Sequence, residues 1–521
     1  MPLMDNVDHL PHSLSHTDEQ LCSAHPVSGR EMTEKCGVFG MLIPPAAREK
    51  WADMGQYLYY GLYALQHRGQ ESCGMAVFDD DQLHLHKDMG LVNQVFEPRL
   101  LSKLTGQIGI GHTRYSTTGD SNLDNAQPIV ARTRNGALTL AHNGNLINLE
   151  PLKKRLSEWI RPRGDGTDTT LVAEDIRHRL QEASLQRDHD IDDVLPHILS
   201  EAFRTYEGAF SFVLAFGNRL IAARDPQGIR PLCYGRTPDG ITVFASESCA
   251  LDIVGATFIR DIEPGEMALV DLDGNIRFQS FLPMDNTKEL TEQKKERLCF
   301  FELVYFARPD SRMNDQLVYE YRLDLGRKLA ERSDIECSPI EADMVIPVPD
   351  SGNVAAVGYS QQSGIPYMEG LIKNRYVGRT FIHPTQAMRE RSIQLKLNPL
   401  TDILRGKNIV VVDDSIVRGN TSKKLVAMLK ECGVKQIHLR ISSAPVKHPC
   451  FYGIDMSTPD QLIANLKSVG DMKEWLGVDS LVYLNEDDMK AVGSNREYCM
   501  ACFNGTYPAG RPKHQGTLQT C

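Results

Sequence analysis

The chain has 521 residues, which allows roughly two to four domains with cores of their own. At 41% hydrophobic and 24% charged it has a globular composition, and no apolar run is long enough to form a membrane-spanning helix. A net charge of −11 excludes a general nucleic-acid surface, and twelve cysteines over this length point to a reducing compartment, the cytoplasm, rather than to a disulfide scaffold.

Residues 1–35 read as disordered: polar, rich in His and Ser, with Pro11 and Pro26. They lack the features of a signal or transit peptide, and a removable pro-segment is the alternative. Cys36 then opens the strand-like run CGVFGMLI. A cysteine there is usually a small hydrophobe. Cleavage after Lys35 would instead give Cys36 an α-amino group with a pKa of about 7.7–8, able to take the proton from its own thiol.

Four motifs follow: LQHRGQES (65–72), GHTRYSTTGD (111–120), AHNGNLIN (141–148) and GTDTT (166–170). In this order they resemble the class II glutamine amidotransferase domain, an N-terminal-nucleophile hydrolase, over residues 36–270. The resemblance implies an α+β fold of stacked antiparallel sheets between helical layers. It also implies Cys36 as nucleophile, with Asn143 and the backbone N–H of Gly144 stabilising the oxyanion. Arg114 would grip the α-carboxylate of glutamine, Asp168 its α-amino group, and Thr117 would add a hydrogen bond. Taken singly, Arg114 and Asp168 read as surface ion-pair residues and Asn143-Gly144 as a hairpin turn. The leader is longer than the short pro-segment usual in that family.

Residues 271–298 turn polar and read as a connection. The run CFFELVYFARPDS (299–311) is densely apolar and reads as core. Strand and helix patterns then alternate, predicting an α/β domain with a mostly parallel sheet over 299–475 and a C-terminal tail over 476–521. Within it, PVPDSG (347–352) is a small polar turn after a strand. From 373 to 391 five cations, Lys373, Arg375, Arg379, Arg389 and Arg391, face one acid, Glu390, in an otherwise acidic chain.

The centre of this half is IVVVDDSIVRGNTS (409–422): a β-branched run, two carboxylates, and a polar turn with Gly419 leading into a helical pattern. A helix start with small polar residues can bind an anion through its free N–H groups. The pattern resembles the signature of type I phosphoribosyltransferases, which bind phosphoribosyl pyrophosphate (PRPP). That likeness assigns Asp413, Asp414, Ser415, Gly419, Asn420 and Thr421 to PRPP, with Lys373 and Arg379 on the pyrophosphate beneath a mobile basic lid. It assigns Mg²⁺ to Ser351, Asp413 and Asp414. Asn420 stands where many members have Thr, which removes a hydroxyl contact to the 5′-phosphate.

A glutaminase followed by a PRPP-binding transferase resembles the glutamine PRPP amidotransferase family over nearly the whole chain. The family makes 5-phosphoribosylamine, glutamate and pyrophosphate from glutamine, PRPP and water, the first committed step of purine synthesis. A non-catalytic PRPP-sensing regulator and a glutaminase serving another synthase are the alternatives. The likeness further implies purine nucleotide inhibitors and a homo-tetramer, with no nucleic-acid or membrane partner. Cys499 and Cys502 form a CxxC, and with Cys249 in SESCALD and Cys450 in HPCFYGID they resemble the cluster-bearing branch of the family. Four such thiolates suit either a [4Fe–4S] cluster or zinc, and the segment likeness favours the cluster in a structural role.

Overall fold

A computed structural model describes residues 36–80, 82–115, 123–157, 167–186, 191–283, 296–337, 341–374, 396–454, 456, 458–493 and 496–512. Thr117, Arg379 with the rest of the basic segment beyond Lys373, and the leader lie outside the described residues. Everything below belongs to the compact unit Met32–Cys521.

The first half carries two antiparallel sheets. One runs, edge to edge, Thr257–Asp261, Cys233–Arg236, Thr242–Ala245, Gly37–Leu42, Ile108–Arg114, Ser72–Asp79 and Gln82–Met89. The other runs Ile276–Ser280, Glu266–Val270, Arg219–Arg224, Gly208–Phe216, Gly136–Leu146 and Ile129–Thr133. Side chains alternate across each strand, and both faces are covered. Val38 and Leu42 join Val213, Ala215 and Leu220 between the sheets, while Phe39 and Met41 pack with Leu58 and Leu62 of the helix Met54–Ala64. The helices Asp168–Gln186 and Ile191–Phe203 cover the second sheet through Val172, Ile176, Leu195 and Leu199.

The second half holds a four-stranded parallel sheet in the order Met344–Pro347, Asn408–Asp413, Gln436–Ile441, Ser480–Tyr483. Its central strand divides its apolar run between two cores. Val410 and Val412 pack with Leu325 and Ala355, on the helices Val318–Cys337 and Asn353–Ser363. Ile409 and Val411 pack with Leu425 and Leu429 of the helix Asn420–Glu431. Burial on both faces is why this strand reads as a continuous hydrophobic run.

Two expected boundaries move. Ile276–Ser280 pairs with Glu266–Val270, so the glutaminase-like sheet extends into the segment assigned to the connection. Ser480–Tyr483 pairs with Gln436–Ile441, so the parallel sheet draws its last strand from beyond residue 475. Both are short edge strands, where pattern is weakest. The run 299–311 is core, as its composition predicts, and Phe300, Phe301 and Val304 share one cluster with Ala209 and Ile229 of the first half and Phe503 near the C-terminus.

Candidate functional site

Cys36 enters the strand Gly37–Leu42 and is buried. Its thiol donates to the Tyr115 carbonyl at 3.6 Å, and Arg68 Nε donates to the Cys36 carbonyl at 3.1 Å. Burial pushes the thiol pKa up; the Arg114 guanidinium offsets this, while Asp168 and Glu71 add to it. The thiol and both anchoring charges expected from the sequence therefore converge. Register explains part of this, because Gly37 pairs with Thr113 and sets Arg114 beside the start of the strand. Arg114 Nη1 lies 3.9 Å from Glu71, an acid inside the LQHRGQES motif that the sequence reading left without a role.

Asp168 is the first residue of its helix. Its carboxylate accepts from Leu146 N at 3.2 Å and Thr169 N at 2.7 Å. Asn143 and Gly144 lie on the strand Gly136–Leu146, opposite Ser211 and Phe210. Asn143 is 1% exposed, and its Nδ2 is a buried donor with no hydrogen-bond partner among the described residues. A buried amide left in this way suits an oxyanion that forms only during reaction. Gly144 has φ +150°, and a Cβ there would sit 2.0 Å from Ala209 O, so the position admits only glycine.

The second half reaches into this site. A Cβ on Gly453 would fall 2.8 Å from the Gly144 carbonyl carbon, and Asn145 Nδ2 donates to Phe451 O at 2.9 Å. Beneath them lies a buried charge group that sequence reasoning missed. Arg68 meets Glu247 at 2.5 Å and Glu302 at 2.8 Å, Arg230 meets Glu302 at 3.5 Å, and Arg230 Nε donates to Tyr452 O at 2.8 Å. Two cations and two anions balance, as buried charge must.

In the parallel sheet, Asp413 ends the strand Asn408–Asp413 and Asp414 follows, where an α/β sheet places its ligands. Burial and the neighbouring Asp414 push the Asp413 pKa well up. Burial also raises that of Asp414, against hydrogen bonds from Ser351 and Ser415. Gly419, at φ +77°, precedes the helix Asn420–Glu431, and no side chain caps that helix start. A Cβ on Gly419 would lie 2.8 Å from Ile463 Cδ1. Lys373 bonds to Asp350, within the PVPDSG turn. The structure thus gathers Ser351, Asp413, Asp414 and Ser415 by direct contact, with Gly419, Asn420 and Thr421 at the adjoining helix start.

The cysteine set needs one correction. Cys249 sits in the short helix Cys249–Ile253, its sulfur 4.0 Å from Ala64 O and 3.9 Å from Glu247, packed against the helix Met54–Ala64. The residue beside the other thiols is Cys299. Leu298–Cys299 pairs in parallel with Tyr498–Cys499, placing Cys299 directly opposite Cys499. Cys450 also interacts with Cys499, and Cys450 and Cys502 both border Tyr507. The segment SESCALD packs into a separate core of the first half after the strand Thr242–Ala245, whereas the run 299–311 passes through the core shared by both halves. Among the described residues, no three His, Cys, Asp or Glu side chains are gathered tightly enough to hold one metal ion.

Fold and site together define a glutaminase of the N-terminal-nucleophile type joined to a phosphoribosyltransferase. A family model of the glutamine amidotransferase domain matches residues 112–252, and one of the phosphoribosyl transferase domain matches 318–445. The amidophosphoribosyltransferase of Synechococcus elongatus is 47% identical over 488 residues, covering 92% of each chain. That of Bacillus subtilis is 41% identical over 486 residues, covering 92% of this chain and 94% of its own. The solved glutamine PRPP amidotransferase from B. subtilis, complexed with ADP and GMP, matches with a TM-score of 0.80 at 40% identity, over 93% of this chain and 99% of that one. The chain belongs to the amidophosphoribosyltransferase family.

Proposed function

We propose that this protein transfers the amide nitrogen of glutamine to PRPP, yielding 5-phosphoribosylamine, glutamate and pyrophosphate and opening purine synthesis. One observation carries the reading: a buried thiol between Arg114 and Asp168 shares a chain with a paired-carboxylate turn ahead of a glycine-led helix.

Removal of the leader frees the Cys36 amine, which takes the thiol proton so that the sulfur can attack the side-chain amide carbon. Arg114 holds the α-carboxylate of glutamine and Asp168 its α-ammonium group, and Thr117 adds a hydrogen bond to the substrate. Asn143 Nδ2 and the Gly144 N–H receive the oxyanion. Ammonia leaves, and water hydrolyses the thioester to glutamate. A shielded passage suits this chemistry, because ammonia in bulk water at pH 7 is mostly protonated and non-nucleophilic. At the second site Ser415, Gly419, Asn420 and Thr421 cradle the ribose phosphate, while Lys373 and Arg379 neutralise the departing pyrophosphate.

The all-oxygen set of Ser351, Asp413 and Asp414 fits a hard divalent cation, and Mg²⁺ held there would neutralise the pyrophosphate. Cys299, Cys450, Cys499 and Cys502 fit a [4Fe–4S] cluster better than zinc. Each thiolate takes its own iron in a cluster, whereas one zinc ion requires four sulfurs at about 2.3 Å. Such a cluster would staple the two halves and the C-terminal segment together. A cytoplasmic homo-tetramer inhibited by purine nucleotides completes the reading, supported by the family likeness.

Isotope tracing tests it. With amide-labelled glutamine and PRPP, the label is expected on the anomeric carbon of the product. Label found only as free ammonium, with PRPP intact, would overturn the proposal.

A further inference from the structure

The strand Gly136–Leu146 runs past the end of its neighbour Ile129–Thr133, whose last paired residue, Ile129, faces Leu140. His142 therefore lies on an edge that no strand covers, and side chains close it instead. Its N–H donates to Gln127 Oε1 at 2.7 Å, and its carbonyl meets His112 Nε2 at 3.1 Å. Burial pushes the His112 pKa down to about 3, so this ring is neutral.

The bond to Gln127 Oε1 fixes the direction of everything that follows. The Gln127 amide must present its Nε2–H to Thr169 Oγ1, at 3.1 Å. The Thr169 hydroxyl has one proton to give, and Asp168 Oδ1 lies 3.2 Å away to accept it. His142 Nδ1, 3.2 Å from the same hydroxyl oxygen, then has to be its donor, which puts a proton on Nδ1. His142 Nε2 is left buried without a partner among the described residues, 2.9 Å from where a Cβ on Gly144 would stand. Gln127, His142, Thr169 and Asp168 are all at most 6% exposed, so water does not compete for these bonds.

Two bonds from Thr169 fall on Oδ1 of Asp168, whereas Oδ2 accepts from Leu146 N and faces His142 Nδ1 at 3.6 Å, beyond ordinary hydrogen-bond length. A carboxylate has about four lone-pair sites, so Oδ2 keeps capacity for an ammonium group. We infer that Gln127, Thr169 and His142 are positioning residues that orient the Asp168 carboxylate toward the α-ammonium group of the substrate. They thereby select an α-amino acid amide over the same amide without its amino group. This rests on the reading of Asp168 as the ammonium anchor, and it adds the residues that give that anchor its direction.

Thr169→Val removes the hydroxyl at constant shape, and Thr169→Ser restores it. The probes are glutamine and 4-carbamoylbutanoate, which is glutamine without its amino group. Thr169→Val is expected to lower kcat/KM for glutamine by about tenfold or more, the scale of a lost bond to a charged group, chiefly through KM. The rate with 4-carbamoylbutanoate should hold steady, and Thr169→Ser should regain most of the preference. Synthesis of phosphoribosylamine from ammonium salts reports that each variant is folded. Equal loss on both amides, or no change in their ratio, would overturn the inference. Asp168→Asn separates the underlying reading: if that variant keeps the wild-type preference, Asp168 is not the anchor, whereas a collapse there with none in Thr169→Val defeats only the positioning role.

Discussion

Asn143, buried, and Asp413, partly buried, are polar groups held against their preference, and each leaves a measurable trace. The unpaired amide of Asn143 awaits charge that develops during the reaction. Asn143→Ala should therefore lower kcat with glutamine by about 10²- to 10³-fold, the scale of one lost oxyanion donor, while synthesis from ammonium salts persists. Parallel assays with the two nitrogen sources check this. Asp413 has its pKa raised above the ordinary value of about 3.9 by burial and by Asp414. Between those two values the folded protein holds a proton that the unfolded chain has released, so this group's contribution to stability falls as pH rises through that window. Asp413→Asn removes the dependence. Its melting temperature should exceed wild type by a margin that grows as pH rises above about 4 and then levels off, while PRPP-dependent turnover collapses. These residues were legible in the sequence because the chemistry dictates both their type and their spacing. Arg68 and Glu71 were not, although they stand in a recognised motif, because their role lies in partners far along the chain.

At the scale of elements, the buried strands announce themselves. Gly208–Phe216 and Asn408–Asp413 are nearly continuous apolar runs, as burial on both faces requires. Ile276–Ser280 does not, since every residue in it is at least partly exposed and it pairs on one side only. The cysteine correction has the same origin. Cys299 reaches Cys499 only through the register of a two-residue parallel pair, which no local pattern discloses. Cys299→Ser should lose most of the iron from anaerobically purified protein, whereas Cys249→Ser should keep it. Iron and sulfide assays on the two variants distinguish the assignments.

Across the whole molecule, the halves share both a hydrophobic core and a balanced set of buried ions. Glu302 lies 234 residues from Arg68 and 72 from Arg230, and is 0% exposed. Glu302→Gln leaves Arg230 without its carboxylate and Arg68 with only one, which should cost about 3–5 kcal/mol of stability in denaturant unfolding. Loss of activity without that loss of stability would move Glu302 from structure to chemistry. Separations of this length are why the ion group escaped sequence reading.

The same arrangement bears on how such a protein can be divided or inherited. Arg224 and Arg230 belong to the first half, yet two carboxylates facing them, Glu296 and Glu302, lie at the far end of the connecting segment and beyond it. A fragment ending near residue 283 would leave the enclosed Arg230 without the Glu302 carboxylate and Arg224 with only Asp225 and Asp261. Gene fission at that point is therefore expected to release a destabilised glutaminase, a consequence that favours keeping the two activities on one gene.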